Sequence, residues 1–166
     1  RILGEKPCAA CANVPARPPV LCAGCPHRGV FYILSKLKLN VLGDIGCYTL
    51  GAVPPLSAMD AVVCMGASVG MAIGFDKADP EAHKHSVAVI GDSTFIHSGI
   101  TGLIDAVYNK AKITVIILDN RTTGMTGHQN HPATGKTIKN EDTYELDLAE
   151  VCRAVGVKNV RTVNPN

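Results

Sequence analysis

Hydrophobic positions along the chain form short unbroken runs that are separated by stretches with helical spacing. Val87–Ile90 is an apolar run of strand length, helical spacing follows over about 98–110, and a second apolar run, ITVIILDN, occupies 113–120. Apolar runs of this length are typical of parallel strands buried on both faces. The order strand, helix, strand predicts a βαβ unit with a right-handed crossover.

Further elements are expected on both sides of this unit. They are, in order, a helix over 29–38, a strand over 41–46, a strand and then a helix within 61–78, a helix over 144–157 and a short strand over 158–161. Gly66, Gly70 and Gly74 recur at every fourth position of the second helix. This spacing gives the helix a smooth face that another backbone can approach. The pattern as a whole predicts an α/β fold with a three-layer, doubly wound, mostly parallel sheet.

Composition limits the number of domains and the class of protein. The chain has 166 residues, of which 46% are hydrophobic and 18% charged, as expected for one compact domain. We expect that domain over 27–166, after an irregular lead-in over 1–26 that is rich in cysteine and proline. A formal net charge of +2 argues against a nucleic-acid-binding surface. Without a membrane-spanning run or a recognisable signal peptide, a cytoplasmic location is expected. The sequence begins at Arg1 rather than at Met, so we also expect a fragment of a longer chain.

Oxygen-bearing side chains follow both strands of the βαβ unit. Asp92 comes directly after the first strand, and Asp119 and Asn120 end the second. Parallel neighbours bring their carboxyl ends together at the edge where ligands bind in open α/β sheets. Asp92 and Asn120 are therefore expected to face one Mg²⁺ ion, which accepts oxygen ligands together with substrate phosphates. Capping of the following helix is a plainer explanation of Asp92, and the residues alone leave both explanations open.

The spacing of these residues resembles the motif of a known enzyme family. Gly-Asp-Ser at 91–93, followed after 26 residues by Asn120, resembles the Gly-Asp-Gly…Asn signature of thiamine-diphosphate enzymes, with Ser93 in place of the last glycine. The loop NRTTGMTGHQ, residues 120–129, resembles that of 2-oxoacid:ferredoxin oxidoreductases. Residues 17–137 as a whole are similar to the alpha subunits of indolepyruvate ferredoxin oxidoreductases.

The resemblance implies a site for thiamine diphosphate held through Mg²⁺. It implies Mg²⁺ ligation by the side chains of Asp92 and Asn120 and by the carbonyl of Thr122. Backbone amides of Gly91 and Ser93 would cradle the diphosphate near a helix start. The implied cofactor-binding residues are Gly91, Asp92, Ser93, Asn120, Thr122, Gly124, Met125 and Thr126.

The resemblance also implies an activity and partners. A 2-oxoacid would be oxidatively decarboxylated, coenzyme A would take the acyl group, and electrons would pass through iron-sulfur clusters to ferredoxin. The choice of an aryl substrate, indolepyruvate, depends on the resemblance alone. The acidic residue that acts on the cofactor's pyrimidine comes, in this family, from a second domain that the sequence does not contain. A partner subunit and an oligomer are therefore expected, and the fragment alone is expected to be inactive.

The chain has seven cysteines, which in a cytoplasmic protein favour metal or redox roles over disulfides. Two Cys-x-x-Cys pairs could form a zinc site from Cys8, Cys11, Cys22 and Cys25. Cys22, Cys25 and Cys47 compete with this set, because they resemble the first three ligands of the iron-sulfur cluster nearest the cofactor in related oxidoreductases.

Other cysteines and three histidines complete the candidates. Cys64 and Cys152 lie in apolar periodic segments and are expected in the core. His27, His97 and His128 are each expected near the carboxyl edge of the sheet, where an imidazole could orient a substrate carboxylate or shuttle a proton. Hydrogen-bonded loop histidines are the alternative, and it is favoured for His128.

Two other functions stay open at this point. A non-oxidative thiamine-dependent 2-oxoacid decarboxylase would use the same cofactor site, but it would have no use for the cysteine-rich lead-in. A zinc-stabilised structural or subunit-docking module would have no catalytic duty and would unfold on chelation.

Overall fold

The chain is described here by a computed structural model, which covers residues 15–164. Within that range four parallel strands form one sheet in the order β2-β1-β3-β4. The strands are β1 (Asn40–Gly43), β2 (Ala61–Val62), β3 (Ser86–Gly91) and β4 (Val115–Leu118). Gly91 pairs with Leu118, so β3 and β4 end at the same level of one sheet edge. This register brings the segments that follow both strands together, as the sequence predicts.

Helices cover both faces of the sheet. They are α1 (His27–Leu37), α2 (Ala67–Ala78), α3 (Asp92–Thr94), α4 (Ile100–Tyr108) and α5 (Leu148–Ala154). Alternate residues of β3 face opposite layers, because side chains of a strand point to opposite faces in turn. Val89 packs in a cluster with Phe31 of α1, whereas Ile90 packs in a cluster with Leu103 of α4. The predicted three-layer α/β architecture is therefore confirmed.

The helical segment after β3 begins six residues earlier than the spacing predicts. It starts at Asp92 and passes through a π-helical turn, Phe95–Gly99, before it continues as α4. Gly91 precedes it in an extended conformation, with φ −80° and ψ 158°. Polar and glycine residues in GDSTFIHSG hide the helical period, but the fully buried Phe95 anchors the turn in the core. π-turns of this kind occur frequently at functional sites.

Several element boundaries also differ from prediction. α1 begins at His27, two residues early, and β1 ends at Gly43 rather than at position 46. α5 begins at Leu148 because the Asp147 side chain accepts a hydrogen bond from the amide of Glu150 at 2.9 Å. The predicted strand over 158–161 is wrong for this structure, since Val160 packs on the core cluster of Ile90 without pairing to the sheet.

The glycine face of α2 is only partly used. Gly66 is the N-cap, one residue before α2, and a Cβ there would lie 2.7 Å from Cβ of Ser98, so the chain approaches closely at the start of the helix. A Cβ at Gly70 or Gly74 would meet nothing within 4 Å, so residues 15–164 leave that part of the face uncovered. The expected close approach at these two glycines is not made inside the described chain.

The amino-terminal part of the structure and its helices bear on two further expectations. Residues 15–26 contain neither helix nor strand, and the irregular lead-in over 1–26 with its boundary at residue 27 stays a prediction. No helix in residues 15–164 combines the length and apolar character needed to cross a membrane.

Candidate functional site

Asp92 is the centre of the site at the carboxyl edge of the sheet. Its side chain is buried, with 2% of the residue exposed. Oδ1 accepts a hydrogen bond from the amide of Ser93 at 2.8 Å, and Oδ2 accepts from the amides of Asn120 at 3.2 Å and Arg121 at 2.8 Å. The helix has Gly91 as its N-cap and no side-chain cap hydrogen bond, so helix capping does not explain Asp92. Two of its three hydrogen bonds instead join the end of β3 to the loop after β4.

Burial and neighbouring groups act against each other on the Asp92 carboxyl. Burial raises its pKa, whereas the hydrogen bond from the Ser93 amide and the nearby His131 lower it. Asp119 is exposed, accepts a hydrogen bond from the Arg121 amide at 3.1 Å, and raises the pKa of Asp92 further. Asp119 thus lies at the strand end as predicted, and it is exposed but close enough to act on the Asp92 carboxyl.

The loop after β4 turns its first amides towards Asp92. Arg121 adopts a left-handed conformation, with φ 54°, and this turn directs two successive amides at the carboxylate. Asn120 Oδ1 accepts a hydrogen bond from the amide of Thr122 at 3.3 Å, which closes the turn. The loop is preorganised around Asp92 by its own backbone.

The second half of this loop is closed by a short antiparallel bridge. Thr123 and Gln129 exchange backbone hydrogen bonds of 3.0 and 3.3 Å. Thr126 Oγ1 also donates to Gln129 Oε1 at 2.6 Å. Gly124, Met125 and Thr126 form the tip, where Met125 is 54% exposed. The predicted cofactor-binding residues of this loop therefore lie together on an open surface beside Asp92.

Ser93 ties the helix start to the same loop. Thr123 Oγ1 donates a hydrogen bond to Ser93 Oγ at 2.8 Å, which a glycine at position 93 could not accept. The Ser93 amide is bonded to Asp92 Oδ1, so in this structure it is not a free donor. Its implied role towards a diphosphate stays a prediction.

Tyr48 was missed by the sequence reasoning and explains the glycine at position 91. A Cβ at Gly91 would lie 2.3 Å from Tyr48 Cε1, and a Cβ at Gly46 would lie 2.4 Å from the same atom. The Tyr48 hydroxyl donates to the carbonyl of Ile45 at 2.8 Å, and burial raises its pKa to about 12. The neutral Tyr48 ring thus packs against the backbone of Gly46 and Gly91, and only glycine fits at these two positions.

Asp44 was also missed, although it follows β1 as Asp92 follows β3. It is fully buried, with 0% exposure. Oδ1 accepts hydrogen bonds from the amides of Ile45 at 2.8 Å and Gly66 at 2.9 Å, and Oδ2 accepts from that of Ser68 at 3.0 Å. Asp44 joins the end of β1 to the start of α2. The Gly-Asp pair after an apolar run was the signal that could have found it.

His131 is the third buried polar residue that sequence reasoning missed. Its Nε2 lies 3.2 Å from Asp92 Oδ2, and its Nδ1 accepts a hydrogen bond from the amide of Ala133 at 3.3 Å. The signal was the His-Pro pair, because proline is common in the first turn of a helix and the residue before it caps that turn.

The predicted cysteine ligands lie next to the loop without forming a complete set. Burial and the neighbouring Cys25 and Cys22 raise the pKa of the Cys47 thiol, so the three sulfurs are close enough to interact. A Cβ at Gly124 would lie 3.3 Å from Cys47 Sγ, which puts that thiol against the loop tip. Across the described range, no three His, Cys, Asp or Glu side chains are arranged to hold a metal ion. The cluster stays a prediction, as does zinc binding, for which Cys8 and Cys11 lie outside the described residues.

The two remaining cysteines differ in burial. Cys64 is exposed, so its predicted place in the core is wrong. It follows the two-residue strand β2 in a turn that runs over the surface. Cys152 is buried, as predicted, and burial raises the pKa of its thiol.

The three candidate histidines have different surroundings. His27 is buried, its ring is edge-on to Tyr48 with centroids 6.4 Å apart, and burial lowers its pKa. His97 is exposed in the π-turn, where Nδ1 lies 2.6 Å from Ser98 Oγ. His128 is an exposed loop residue with φ 60°. The structure therefore links His27 to the site through Tyr48, and within residues 15–164 the ring of His97 contacts Ser98 rather than the site.

The donor groups fit a hard cation that carries phosphate oxygens. One buried carboxylate, an amide oxygen from Asn120 and the carbonyls of the loop supply oxygen donors, the chemistry that Mg²⁺ prefers. A single carboxylate leaves ligand positions for anionic oxygens and water. The site suits a cation bridging the protein and a phosphorylated ligand.

Comparison with known proteins gives independent information. The family model described as "Thiamine pyrophosphate enzyme, C-terminal TPP binding domain" matches residues 44–166. The chain is 48% identical over 160 residues to the indolepyruvate oxidoreductase subunit IorA of Archaeoglobus fulgidus, covering 93% of this chain and 25% of that protein. It is 42% identical over 166 residues to the IorA subunit of Thermococcus kodakarensis, covering 92% and 26%. The chain thus spans about a quarter of the length of these curated relatives.

More distant similarity extends to other oxidoreductases. The chain is 27% identical over 158 residues to the 2-oxoglutarate synthase subunit KorB of Archaeoglobus fulgidus, covering 86% of this chain and 58% of that protein. A solved 2-oxoglutarate:ferredoxin oxidoreductase from Magnetococcus marinus, with 2-oxoglutarate, coenzyme A and succinyl-CoA bound, superposes with a TM-score of 0.67 at 18% identity. That match covers 84% of this chain and 52% of the other, and it shows a shared fold.

Proposed function

Because the chain belongs to the thiamine pyrophosphate enzyme family, whose C-terminal TPP-binding domain it matches, we propose that Asp92 and the loop 120–129 hold thiamine diphosphate through Mg²⁺. The observation that carries the proposal is the buried Asp92 carboxylate, whose hydrogen bonds join two strand ends 28 residues apart. A rigid carboxylate at the carboxyl edge of an α/β sheet is suited to a cation that must be held in one place.

Each donor has a defined part in this arrangement. Asp92 and Asn120 would supply side-chain oxygens to Mg²⁺, and Thr122 would supply its carbonyl. Gly91, Ser93 and the loop tip would contact the cofactor, and the hydrogen bond between Thr123 and Ser93 ties the helix start to the loop. Bound there, thiamine diphosphate supplies the electron sink that 2-oxoacid decarboxylation needs. The protein's own task is to bind, orient and shield that group.

The proposed reaction is the oxidative decarboxylation of indolepyruvate to an acyl-CoA. The relatives named IorA support the aryl substrate, and they are similar over nearly the whole of this chain. In balance, one 2-oxoacid and one coenzyme A give CO₂ and the acyl-CoA. The two electrons released pass singly to two ferredoxin molecules, with loss of a proton. Ferredoxin and a partner subunit are therefore proposed partners.

The proposed electron path begins at Cys22, Cys25 and Cys47. These cysteines are proposed as three ligands of an iron-sulfur cluster, and Cys47 supports this because its sulfur lies against the loop tip at Gly124. A cluster there would be next to the cofactor. We also propose His27 as a proton acceptor near the site, since burial keeps its imidazole neutral. His97, exposed on its turn, is proposed to face substrate or partner in the complete protein.

The first experiment measures cofactor binding in the complete protein that carries this sequence. The protein is stripped of metal and cofactor, and thiamine diphosphate is titrated calorimetrically with and without Mg²⁺. We expect binding that requires Mg²⁺ and is lost in Asp92→Asn. Asp105→Asn is the matched control, because that carboxylate is exposed on α4, where it accepts a hydrogen bond from Asn109 Nδ2 at 2.8 Å, and should be dispensable. Unchanged binding in Asp92→Asn would contradict the proposal.

A second experiment tests the oxidative reaction and the cluster. The anaerobically purified complete protein is given indolepyruvate, coenzyme A and ferredoxin, and ferredoxin reduction is followed with iron content. We expect reduction that needs coenzyme A, and a lower iron content in Cys47→Ser than in the control Cys64→Ser, whose thiol is exposed and does not belong to the proposed ligand set. Release of CO₂ and aldehyde without ferredoxin reduction would favour a non-oxidative decarboxylase.

A further inference from the structure

We propose that His131 is a positioning residue for the cation site: it braces Oδ2 of Asp92 and leaves Oδ1 as the oxygen that takes the cation. This inference rests on the proposed function, because it assumes that Asp92 ligates Mg²⁺. It adds a residue that lies outside both the Gly-Asp-Ser motif at 91–93 and the loop 120–129.

His131 is buried and aimed at the carboxylate. The residue is 8% exposed, and its Nε2 lies 3.2 Å from Asp92 Oδ2. Nδ1 accepts the Ala133 amide, so the neutral ring carries its proton on Nε2, which is the nitrogen that faces Asp92. Within residues 15–164 Nε2 has no aligned hydrogen-bond partner. Buried polar atoms without partners are rare and costly, and such an atom beside a ligand carboxylate points to a functional reason.

The two oxygens of Asp92 have unequal surroundings. Oδ2 accepts two backbone amides and is also the oxygen that His131 approaches. Oδ1 accepts one amide, that of Ser93, and keeps further acceptor capacity. Oδ2 is therefore the oxygen that is held by the protein, and Oδ1 is the oxygen suited to a cation. Partners behind a metal ligand fix its orientation and raise metal affinity.

His131 is itself held by a turn that is separate from the loop. The turn Pro132–Thr134 follows directly, and the carbonyl of His131 accepts hydrogen bonds from the amide and the hydroxyl of Thr134 at 2.9 and 2.8 Å. The Leu146 amide bonds to the Pro132 carbonyl at 3.0 Å, which ties the turn to a later segment. The ring is thus preorganised, and Asp92 receives support from a third segment of the chain.

The two nitrogens of the ring can be tested separately. Asparagine reaches only as far as Nδ1, so His131→Asn keeps an acceptor for the Ala133 amide and has nothing at the Nε2 position. Glutamine is longer, so His131→Gln puts an amide nitrogen near the Nε2 position and loses the acceptor at Nδ1. A role in positioning Asp92 and a role in holding the turn therefore predict opposite orders for these variants.

The measurement is Mn²⁺ affinity of the complete protein at saturating thiamine diphosphate, from the room-temperature EPR signal of free Mn²⁺. We expect His131→Asn to bind Mn²⁺ about 10- to 100-fold more weakly, and His131→Gln to stay within about threefold of wild type. Equal affinities in the two variants, or a weaker affinity for His131→Gln, would overturn the inference, because the ring would then serve only the turn.

An Asp92→Asn arm separates this inference from the proposed function. If Asp92→Asn loses Mn²⁺ while both His131 variants bind normally, the cation site is right and the positioning role is wrong. If Asp92→Asn binds Mn²⁺ like the wild type, Asp92 is not a ligand, and the proposed function fails together with the inference.

Discussion

Replacement of Gly91 by alanine tests how tightly Tyr48 is wedged against the end of β3. The added Cβ would lie 2.3 Å from Tyr48 Cε1, about 1 Å short of the 3.4 Å at which ordinary contact begins. Neither the backbone of Gly91 nor the Tyr48 ring can move easily to relieve this contact. Gly91 is held in register with Leu118, and the Tyr48 hydroxyl is bonded to the carbonyl of Ile45. Overpacking of this kind costs about 1–3 kcal/mol.

Amide hydrogen exchange of β3, Ser86–Gly91, in the complete protein measures this cost, because exchange reports the local opening free energy. Since about 1.4 kcal/mol is tenfold in an equilibrium constant, we expect exchange roughly 5- to 150-fold faster than in the wild type. Tyr48→Leu replaces the rigid ring by a flexible side chain. In the Tyr48→Leu background, Gly91→Ala should lower the local opening free energy of β3 by less than it does in the wild type.

The matched control is Gly74→Ala. A Cβ there meets nothing within 4 Å and lies inside α2, so the substitution should stabilise the helix by about 0.5–1 kcal/mol. The same chemical change should therefore have opposite signs at the two sites. Exchange in Gly91→Ala as slow as in the wild type, or an equal cost with and without the Tyr48 ring, would refute the packing argument.

Four further predictions concern polar side chains that are buried or half-buried. Asp44→Asn replaces an oxygen that accepts backbone amides by an amide nitrogen, and should lower the melting temperature through a loss of about 1–3 kcal/mol. Ser68→Ala should leave the melting temperature unchanged or raise it, since the buried Ser68 Oγ has no hydrogen-bond partner within the described chain. A fall in melting temperature comparable to that of Asp44→Asn would contradict this prediction. Burial lowers the pKa of His27 below 6.5, so the unfolded state binds the proton first and stability should fall as the pH drops through this range. Melting curves between roughly pH 5 and 8 should show that loss reduced in His27→Phe. Thr123→Val and Ser93→Ala should each weaken thiamine diphosphate binding about fivefold, through loss of about 1 kcal/mol, and the double variant no further; additive losses in calorimetry would show that their hydrogen bond is not the cause.

Local signals in the sequence were enough for the fold class and for half of the site. The apolar runs that became β3 and β4 are spaced as neighbouring parallel strands, and parallel pairing requires that their ends meet. Asp92 and Asn120 follow those ends directly, so their proximity was a consequence of topology. The predicted helix after β3 was placed too late because polar residues in its first turns, among them His97, hide the period.

Contacts between distant segments supplied the rest of the site. Tyr48 fills the space beside Gly91, and His131 reaches Asp92 across 39 positions of sequence, although neither belongs to a motif. Cys64 has the apolar neighbours of a core residue, yet it is exposed. Hydrophobic period and motif spacing depend on residues that are close in sequence. The sequence by itself therefore determined the strands and the polar residues that follow β3 and β4, including Asp92 and Asn120. Only tertiary packing decided that Tyr48 lies against Gly91 and that His131 lies against Asp92. Burial and hydrogen bonding at these positions depend on segments that are far apart in sequence.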